Sequence, residues 1–154
     1  LLAWRDWTAP AEVVTEVGGF DDHGVLEELD RVASAQVPLG GGASIFVEPT
    51  RALVAVDVNT GNDASLAAGV KANMACAKAL PRALRLRGLG GQITLDLAPM
   101  PKKDRRTFES ALRAAFRADD VDTTLVGWTP LGHYELQRKR ARPVLAEVLT
   151  GAGQ

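Results

Sequence analysis

The sequence of 154 residues contains few of the residues on which several kinds of site depend. It has one cysteine, Cys76, and two histidines, and 5% of its residues are aromatic. A single cysteine excludes an internal disulfide and a multi-cysteine zinc site, and is typical of a reduced, intracellular protein. No run of about 18 apolar residues occurs, so the sequence predicts no membrane span and a cytoplasmic location.

The overall composition is that of an ordinary folded protein. Hydrophobic residues make up 46% of the sequence, charged residues make up 24%, and the formal net charge is −1. A chain of this length can bury a core without disulfides or metals, and its length fits about one domain. We therefore expect a single domain over residues 1–154.

The near-neutral charge conceals a division along the chain. Residues 1–77 contain four basic and eleven acidic residues, a net charge of −7, whereas residues 78–154 contain fourteen basic and eight acidic residues, a net of +6. Such an asymmetry is a reason to consider nucleic acid as a partner of the second half. Two differently charged surfaces in contact with water would give the same composition, and both interpretations stay open at this point.

Hydrophobic periodicity and turn residues predict an alternation of helices and strands. Because strict βαβ alternation is absent, we expect one mixed sheet of about five or six strands packed with helices, in the α/β or α+β class. The predicted helices cover residues 25–33, 66–84 and about 102–118. The predicted strands cover residues 13–17, a hairpin of 43–47 and 52–58, a central strand 92–97, and a final pair of 123–129 and 133–136.

Three local features of the predicted helices can be checked against a structure. Asn62 or Asp63 is expected to cap the helix over residues 66–84, and Pro81 is expected to kink or break it near Leu80. In the next helix Glu109 lies four residues from both Arg105 and Arg113, a spacing that favours weak ion pairs on the solvent side.

Two aspartates interrupt apolar strands at the point where each strand ends. Asp57 follows the run from Ala52 to Val56, and Asp96 follows Ile93 to Leu95. A charge at the end of a buried strand is costly unless it is hydrogen-bonded, paired or bound to a cation. Each could be a turn aspartate, but if the strands are neighbours the two carboxylates emerge at one edge and suit Mg²⁺. Asn59, two residues after Asp57, would then orient that carboxylate or touch a substrate.

The remaining polar candidates are weaker. His23 and His133 are far apart, which gives little support to a nucleophile system that depends on histidine. The tryptophans could stack on bases or pack in a core. Two basic clusters could bind phosphate, cap a helix or face water. The tryptophans are Trp4, Trp7 and Trp128, and the basic residues are Arg82, Arg85, Arg87, Arg138, Lys139 and Arg140.

Several motifs in fixed order resemble the ribonuclease E/G family, in the DNase I-like subdomain of its catalytic region. The matching stretches lie between about residues 20 and 149 and include residues 41–50, 52–61, 84–97 and 131–140. The resemblance implies a magnesium-dependent endoribonuclease that hydrolyses single-stranded RNA and leaves a 5′-phosphate on the downstream product. It places Asp57 and Asp96 on the two magnesium-binding positions, with Asn59 in support, and Mn²⁺ is expected to substitute for Mg²⁺.

The resemblance also implies what this stretch of sequence does not contain. There is no room for the family's S1 RNA-binding domain or its 5′-end sensor, and its Cys-Pro-x-Cys zinc link is absent. We therefore expect no zinc, a homodimer at most, and a partner chain that supplies RNA binding. The alternatives are a non-catalytic RNA-binding or assembly subunit that retains the fold, and a hydrolase of another phosphodiester.

Overall fold

The computed structural model describes residues 13–151. Contacts between Cα atoms divide the chain into two compact units, one that ends at Arg31 and one that begins at Val32. The prediction of a single domain stays a prediction. Over the described residues, no helix combines the length and the apolar character that crossing a bilayer requires.

The first unit is helical in its described part. Helix α1 covers Gly19–Asp22, and α2 covers Val25–Ala33, so the unit boundary falls within α2. The amphipathic spacing therefore predicted α2 correctly. The strand predicted at residues 13–17 is wrong, because this segment pairs with no strand of the described residues.

The second unit is built on one six-stranded mixed sheet, which confirms the predicted α/β class. Its strands lie in the order β1-β2-β3-β4-β6-β5, and all pairs are antiparallel except β3 and β4. The strands are β1 (Gln36–Gly40), β2 (Ala43–Pro49), β3 (Val54–Asn59), β4 (Gly91–Asp96), β5 (Thr123–Trp128) and β6 (Tyr134–Arg138). The helices that follow β3 are α3 (Leu66–Arg87), α4 (Arg105–Arg117) and α5 (Leu145–Thr150), with a 3₁₀ turn at Lys102–Asp104.

Strand β1 is an element that the sequence patterns did not predict. It contains Pro38, which lacks an amide donor and is tolerated only where the strand has a free edge. In the sheet β1 is the outermost strand and pairs only with β2. The predicted hairpin of β2 and β3, the central position of β4 and the final pair of β5 and β6 are confirmed.

The sheet has one buried face and one open face. Along β3, Val54, Val56 and Val58 are buried, whereas Asp57 and Asn59 alternate with them and are exposed. This period of two is what a strand with one covered face requires. Helix α3 packs on the buried face against β1, β2 and β3, and α4 packs beside α3. The polar face of the central strands is therefore available to a ligand.

Helix α3 differs from its prediction in its N-cap and in having no break at Pro81. The N-cap is Ser65, whose Oγ accepts a hydrogen bond from the Ala68 amide at 3.2 Å, while Asp63 instead accepts from the Ser65 amide. The helix continues through Pro81 to Arg87 without a break. Pro81 is buried, and the packing of the surrounding apolar residues compensates for its missing hydrogen bond.

Candidate active site

The parallel pairing of β3 and β4 brings the two candidate aspartates together. Asp57 and Asp96 are direct partners in the register of this pair, and each is exposed at the carboxyl end of its strand. The sequence analysis made a shared site conditional on these strands being neighbours, and the parallel pairing of β3 with β4 meets that condition. Ligands of open sheets bind at this edge, so the geometry agrees with a site there.

Two carboxylates of like charge meet at this edge. The pKa of Asp57 is raised above its usual value of 3.8, first by partial burial and then by the negative charges of Asp96 and Glu48. Two ionised carboxylates side by side repel each other unless a proton or a cation lies between them. The pair therefore has the electrostatic character of a cation site.

Asn59 contacts the turn after β3. Its Oδ1 accepts a hydrogen bond from the Gly61 amide at 2.7 Å. Gly61 has φ +72°, and a Cβ there would lie 2.5 Å from the Gly42 carbonyl oxygen, so only glycine fits. Because this bond uses the carbonyl oxygen of Asn59, the amide nitrogen of the same side chain is left to act as a donor.

Asn73 in α3 fixes the loop that follows Asp96. Its Nδ2 donates to the Ala98 carbonyl at 2.8 Å, and its Oδ1 accepts from the Ala98 amide at 3.0 Å. One turn earlier, a Cβ on Gly69 would lie 2.3 Å from the Pro99 carbonyl oxygen. The loop is thus bonded and packed directly on α3. Sequence analysis missed this role. The available signal was an asparagine within the apolar stripe of a predicted helix, and in the structure Asn73 is fully buried.

A cleft of about 390 Å³ opens beside Asp96. His133 places its Nε2 3.7 Å from the Asp96 Oδ1. Arg105 lies on the same cleft, with its guanidinium carbon 4.3 Å from the centre of the Trp128 ring. Neither Arg105 nor His133 was predicted as a site residue, because the contacts depend on the turn between β5 and β6.

The ion pairs predicted for Glu109 are not formed. Its Oε1 instead accepts a hydrogen bond from the Trp128 indole nitrogen, and Arg105 stacks on the same indole. The helical spacing of charges was correct, but a tertiary contact with β5 outweighs a weak surface pair.

The predicted basic clusters lie at the other end of the sheet. Arg138 pairs in register with Gly91, the first residue of β4, whereas Asp96 is the last residue of that strand. Five residues at about 3.3 Å each separate the two ends by about 16 Å. Arg138 and the residues that follow it therefore do not adjoin the aspartates.

Two of the predicted RNA-binding arginines are buried. Arg87 donates to the carbonyls of Ser34 at 2.8 Å and Ala83 at 3.2 Å. Arg138 is 2% exposed and donates to the Thr123 hydroxyl at 2.9 Å. Both guanidinium groups are engaged within the fold, so we leave these residues out of an RNA surface.

Arg138 also belongs to a buried ion cluster. The Asp119 side chain is fully buried and lies 3.3 Å from Arg138 and 3.2 Å from Arg85. The amide of Val121 donates to the same carboxylate at 3.1 Å. A buried carboxylate with this many donors is satisfied inside the protein and has a structural role. The predicted RNA-binding residues whose side chains remain exposed are Arg82, Lys139 and Arg140.

The remaining candidates are the cysteine and the tryptophans. Cys76 is fully buried, and burial raises its pKa to about 12, so it is a core residue and not a nucleophile. Trp128 packs against Phe108 and Tyr134, whereas Trp4 and Trp7 lie outside the described residues. Within residues 13–151, no group of three or more His, Cys, Asp or Glu side chains could hold a metal.

Comparison with known proteins gives a consistent result. The sequence model of the Ribonuclease E/G family matches residues 9–141. The chain is 36% identical to Ribonuclease G of Salmonella typhimurium (strain SL1344) over 135 residues, which cover 84% of this chain and 28% of that protein. It is 34% identical to the chloroplastic Ribonuclease E/G-like protein of Arabidopsis thaliana over 80% of this chain and 13% of that protein. It is 31% identical to Ribonuclease E of Escherichia coli (strain K12) over 95% of this chain and 14% of that protein.

The chain thus spans less than a third of the length of these curated relatives. The family match covers the whole six-stranded sheet, including the strands that carry Asp57, Asn59 and Asp96. By its sequence over residues 9–141 and by the α/β sheet that this sequence forms, the chain belongs to the ribonuclease E/G family.

Proposed function

We propose that this chain forms the hydrolytic centre of a magnesium-dependent endoribonuclease that cleaves single-stranded RNA. The single observation that carries the proposal is the pairing of Asp57 with Asp96 at the carboxyl end of two parallel strands. The names of the relatives support ribonuclease chemistry in general. The metal, the substrate and the roles of individual residues are our proposal.

The donor set fits Mg²⁺ better than it fits zinc. The pair offers hard carboxylate oxygens, which Mg²⁺ prefers, and Mg²⁺ retains several waters when only one or two carboxylates bind it. A structural zinc site would need four nitrogen or sulfur ligands, and the described residues contain no such group. Burial and, after it, the negative charges of Asp96 and Glu48 raise the pKa of Asp57, and a bound cation would offset both effects. Mn²⁺ has the same ligand preference and would substitute for Mg²⁺.

The residues of the site have separate tasks. Asp57 and Asp96 hold the ion, which when bound polarises the scissile phosphate and lowers the pKa of the attacking water. The Asn59 side chain is fixed by its bond to the Gly61 amide, and its free amide group orients the Asp57 carboxylate or donates to the RNA. Asn73 and Gly69 hold the loop after Asp96 and so limit the movement of that carboxylate. Hydrolysis leaves a 5′-phosphate on the downstream product.

RNA also needs contacts beyond the metal, because two carboxylates alone do not hold a flexible strand. Lys139 and Arg140 are exposed just beyond the residue that pairs with the first residue of β4, and Arg82 is exposed on α3. We assign them to contacts with the RNA backbone that are distant from the scissile bond and independent of sequence. A second copy of the chain and a partner chain with an RNA-binding domain remain part of the proposal.

The test measures cleavage of a labelled single-stranded RNA by the purified protein in Mg²⁺, in Mn²⁺ and in EDTA. Asp57→Asn and Asp96→Asn remove the charge and preserve the shape of the side chain. Loss of several kcal/mol of transition-state stabilisation corresponds to a rate reduction on the order of a thousandfold. The matched control is Asp120→Asn, which makes the same substitution at an exposed aspartate outside the proposed site and is expected to change the rate by less than about twofold.

Cleavage that persists in EDTA, or that is equal in the aspartate variants and the wild type, would contradict the proposal. RNA binding that depends on salt but is never followed by cleavage would select the non-catalytic alternative. Cleavage of other phosphodiesters without cleavage of RNA would select a different hydrolase.

A further inference from the structure

The cleft beside Asp96 contains a cation that nothing in the described fold neutralises. Arg105 takes part in none of the ion pairs found within residues 13–151. Its Nε is buried and has no hydrogen-bond partner among these residues. A buried guanidinium nitrogen without an acceptor costs free energy, so other contacts of the side chain must hold it in this position.

The guanidinium group is held in place from one side. It stacks on the Trp128 indole at 4.3 Å, and this indole is itself fixed by the Glu109 carboxylate and by the Tyr134 ring at 5.1 Å. Trp128 thus acts as a rigid support beneath Arg105. Stacking leaves the edge of the planar group as the direction in which it can donate hydrogen bonds.

The position of Arg105 relates it to the proposed metal site. It shares the 390 Å³ cleft with Asp96 and His133. A Cβ added to Gly132 would lie 3.6 Å from the Arg105 Nη2, which places this nitrogen beside the turn that carries His133. The cleft is therefore lined both by a proposed metal ligand and by an arginine that forms no ion pair within residues 13–151.

We infer that this cleft binds an RNA phosphate next to the scissile one, with Arg105 as its donor and Trp128 as the support for Arg105. A planar guanidinium matches the oxygens of a phosphate, and such a contact positions the strand without reading its sequence. The inference rests on the proposed function for the nature of the ligand. It adds a basic residue to the carboxyl end of β4, where sequence analysis predicted only aspartates and an asparagine.

The test compares two adjacent arginines at the start of α4. Arg105→Gln removes the cation from the cleft. Arg106→Gln removes the same charge from an exposed neighbour that does not line the cleft. The dissociation constant of a single-stranded RNA is measured in EDTA by fluorescence anisotropy at several salt concentrations. Because no metal is present, the result does not depend on whether the protein cleaves RNA.

We expect Arg105→Gln to weaken RNA binding about tenfold and Arg106→Gln to weaken it less than about twofold. Loss of one phosphate contact should also reduce the slope of log K against log salt by about 0.7 in the first variant. Equal effects of the two substitutions on affinity and slope would overturn the inference.

Two further measurements serve as controls for this result. Thermal unfolding shows whether Arg105→Gln remains folded. Arg105→Lys keeps the charge and the aliphatic stem on Trp128 but loses the planar group, so it should weaken binding about threefold. If Arg105→Lys binds RNA as tightly as the wild type, charge alone explains the affinity, and the proposed guanidinium–phosphate contact is overturned. Failure of the proposed function is seen separately, as absence of cleavage in Mg²⁺ while the difference between the two arginines persists.

Discussion

The two ends of strand β4 contain ionisable groups in opposite arrangements. At the carboxyl end Asp57 and Asp96 lie side by side, exposed and of the same charge. At the other end Arg138 is buried against Asp119, whose carboxylate also pairs with Arg85. The first arrangement costs stability and is available to a ligand, whereas the second is satisfied internally. Function and folding are therefore assigned to different ends of one strand.

The largest effect on stability is expected at the end of β4 where Arg138 and Asp119 form a buried ion pair. Asp119→Ala leaves the buried Arg138 without its carboxylate, and breaking a buried pair in this way costs about 3–5 kcal/mol. Chemical denaturation of the purified variant measures this loss. Asp120→Ala is the control, because it removes the same charge from an exposed neighbour and should change stability by less than about 0.5 kcal/mol. Equal losses of stability in the two variants would mean that the buried ion cluster does not stabilise this end of the strand.

The next effect tests how the loop after Asp96 is held. Asn73→Ala removes both hydrogen bonds to the Ala98 backbone and leaves two buried polar groups unpaired, at a cost of about 2–4 kcal/mol. The exposed Asn62 provides the matched control Asn62→Ala, which should be nearly neutral. If Asn73→Ala is as stable as the wild type, α3 does not fix the carboxyl end of β4.

The smallest effect concerns the like-charged pair. Since the pKa of Asp57 is raised, its stabilising contribution is complete below 3.8 and is lost as the pH rises through the higher pKa of the folded state. Asp57→Asn should therefore raise the melting temperature at pH 7 without metal by about 1–3 °C, and should not raise it at pH 3. Differential scanning calorimetry at the two pH values measures the shift, and Mg²⁺ should reduce it.

Asp63 supplies a control of opposite sign. The Ser65 amide and hydroxyl lower its pKa by hydrogen bonding, so its contribution is present above 3.8 and is lost as the pH falls through the lowered value. Asp63→Asn should lower the melting temperature at pH 7. A stabilising Asp63→Asn together with a destabilising Asp57→Asn would contradict this electrostatic account of the carboxyl end.

Local patterns were sufficient for most elements of the sheet and for the aspartate pair. The alternation around Asp57 and the apolar run before Asp96 predicted two strands, and the structure confirms both and pairs them in parallel. Patterns failed where tertiary contacts decide the outcome. Pro81 continues a helix because its surroundings are buried, and Glu109 bonds to Trp128 instead of an arginine on its own helix.

The prediction of functional basic residues from the sequence failed for the same reason. Sequence proximity grouped Arg138, Lys139 and Arg140 into one cluster, but burial separates the first from the other two. Sequence order also could not indicate that Arg105 and His133 meet beside Asp96, because that contact depends on the fold of the β5–β6 turn. The sequence alone does not indicate whether a charged residue contacts another side chain or a ligand.

The central claim is that Asp57 and Asp96 together hold a divalent ion. Crystals of the protein soaked in Mn²⁺ test it most directly, through anomalous diffraction. We predict one strong anomalous peak between the two carboxylates, and its loss in crystals of Asp57→Asn. A peak elsewhere, or none at this pair in crystals that bind Mn²⁺ at another position, would contradict the account.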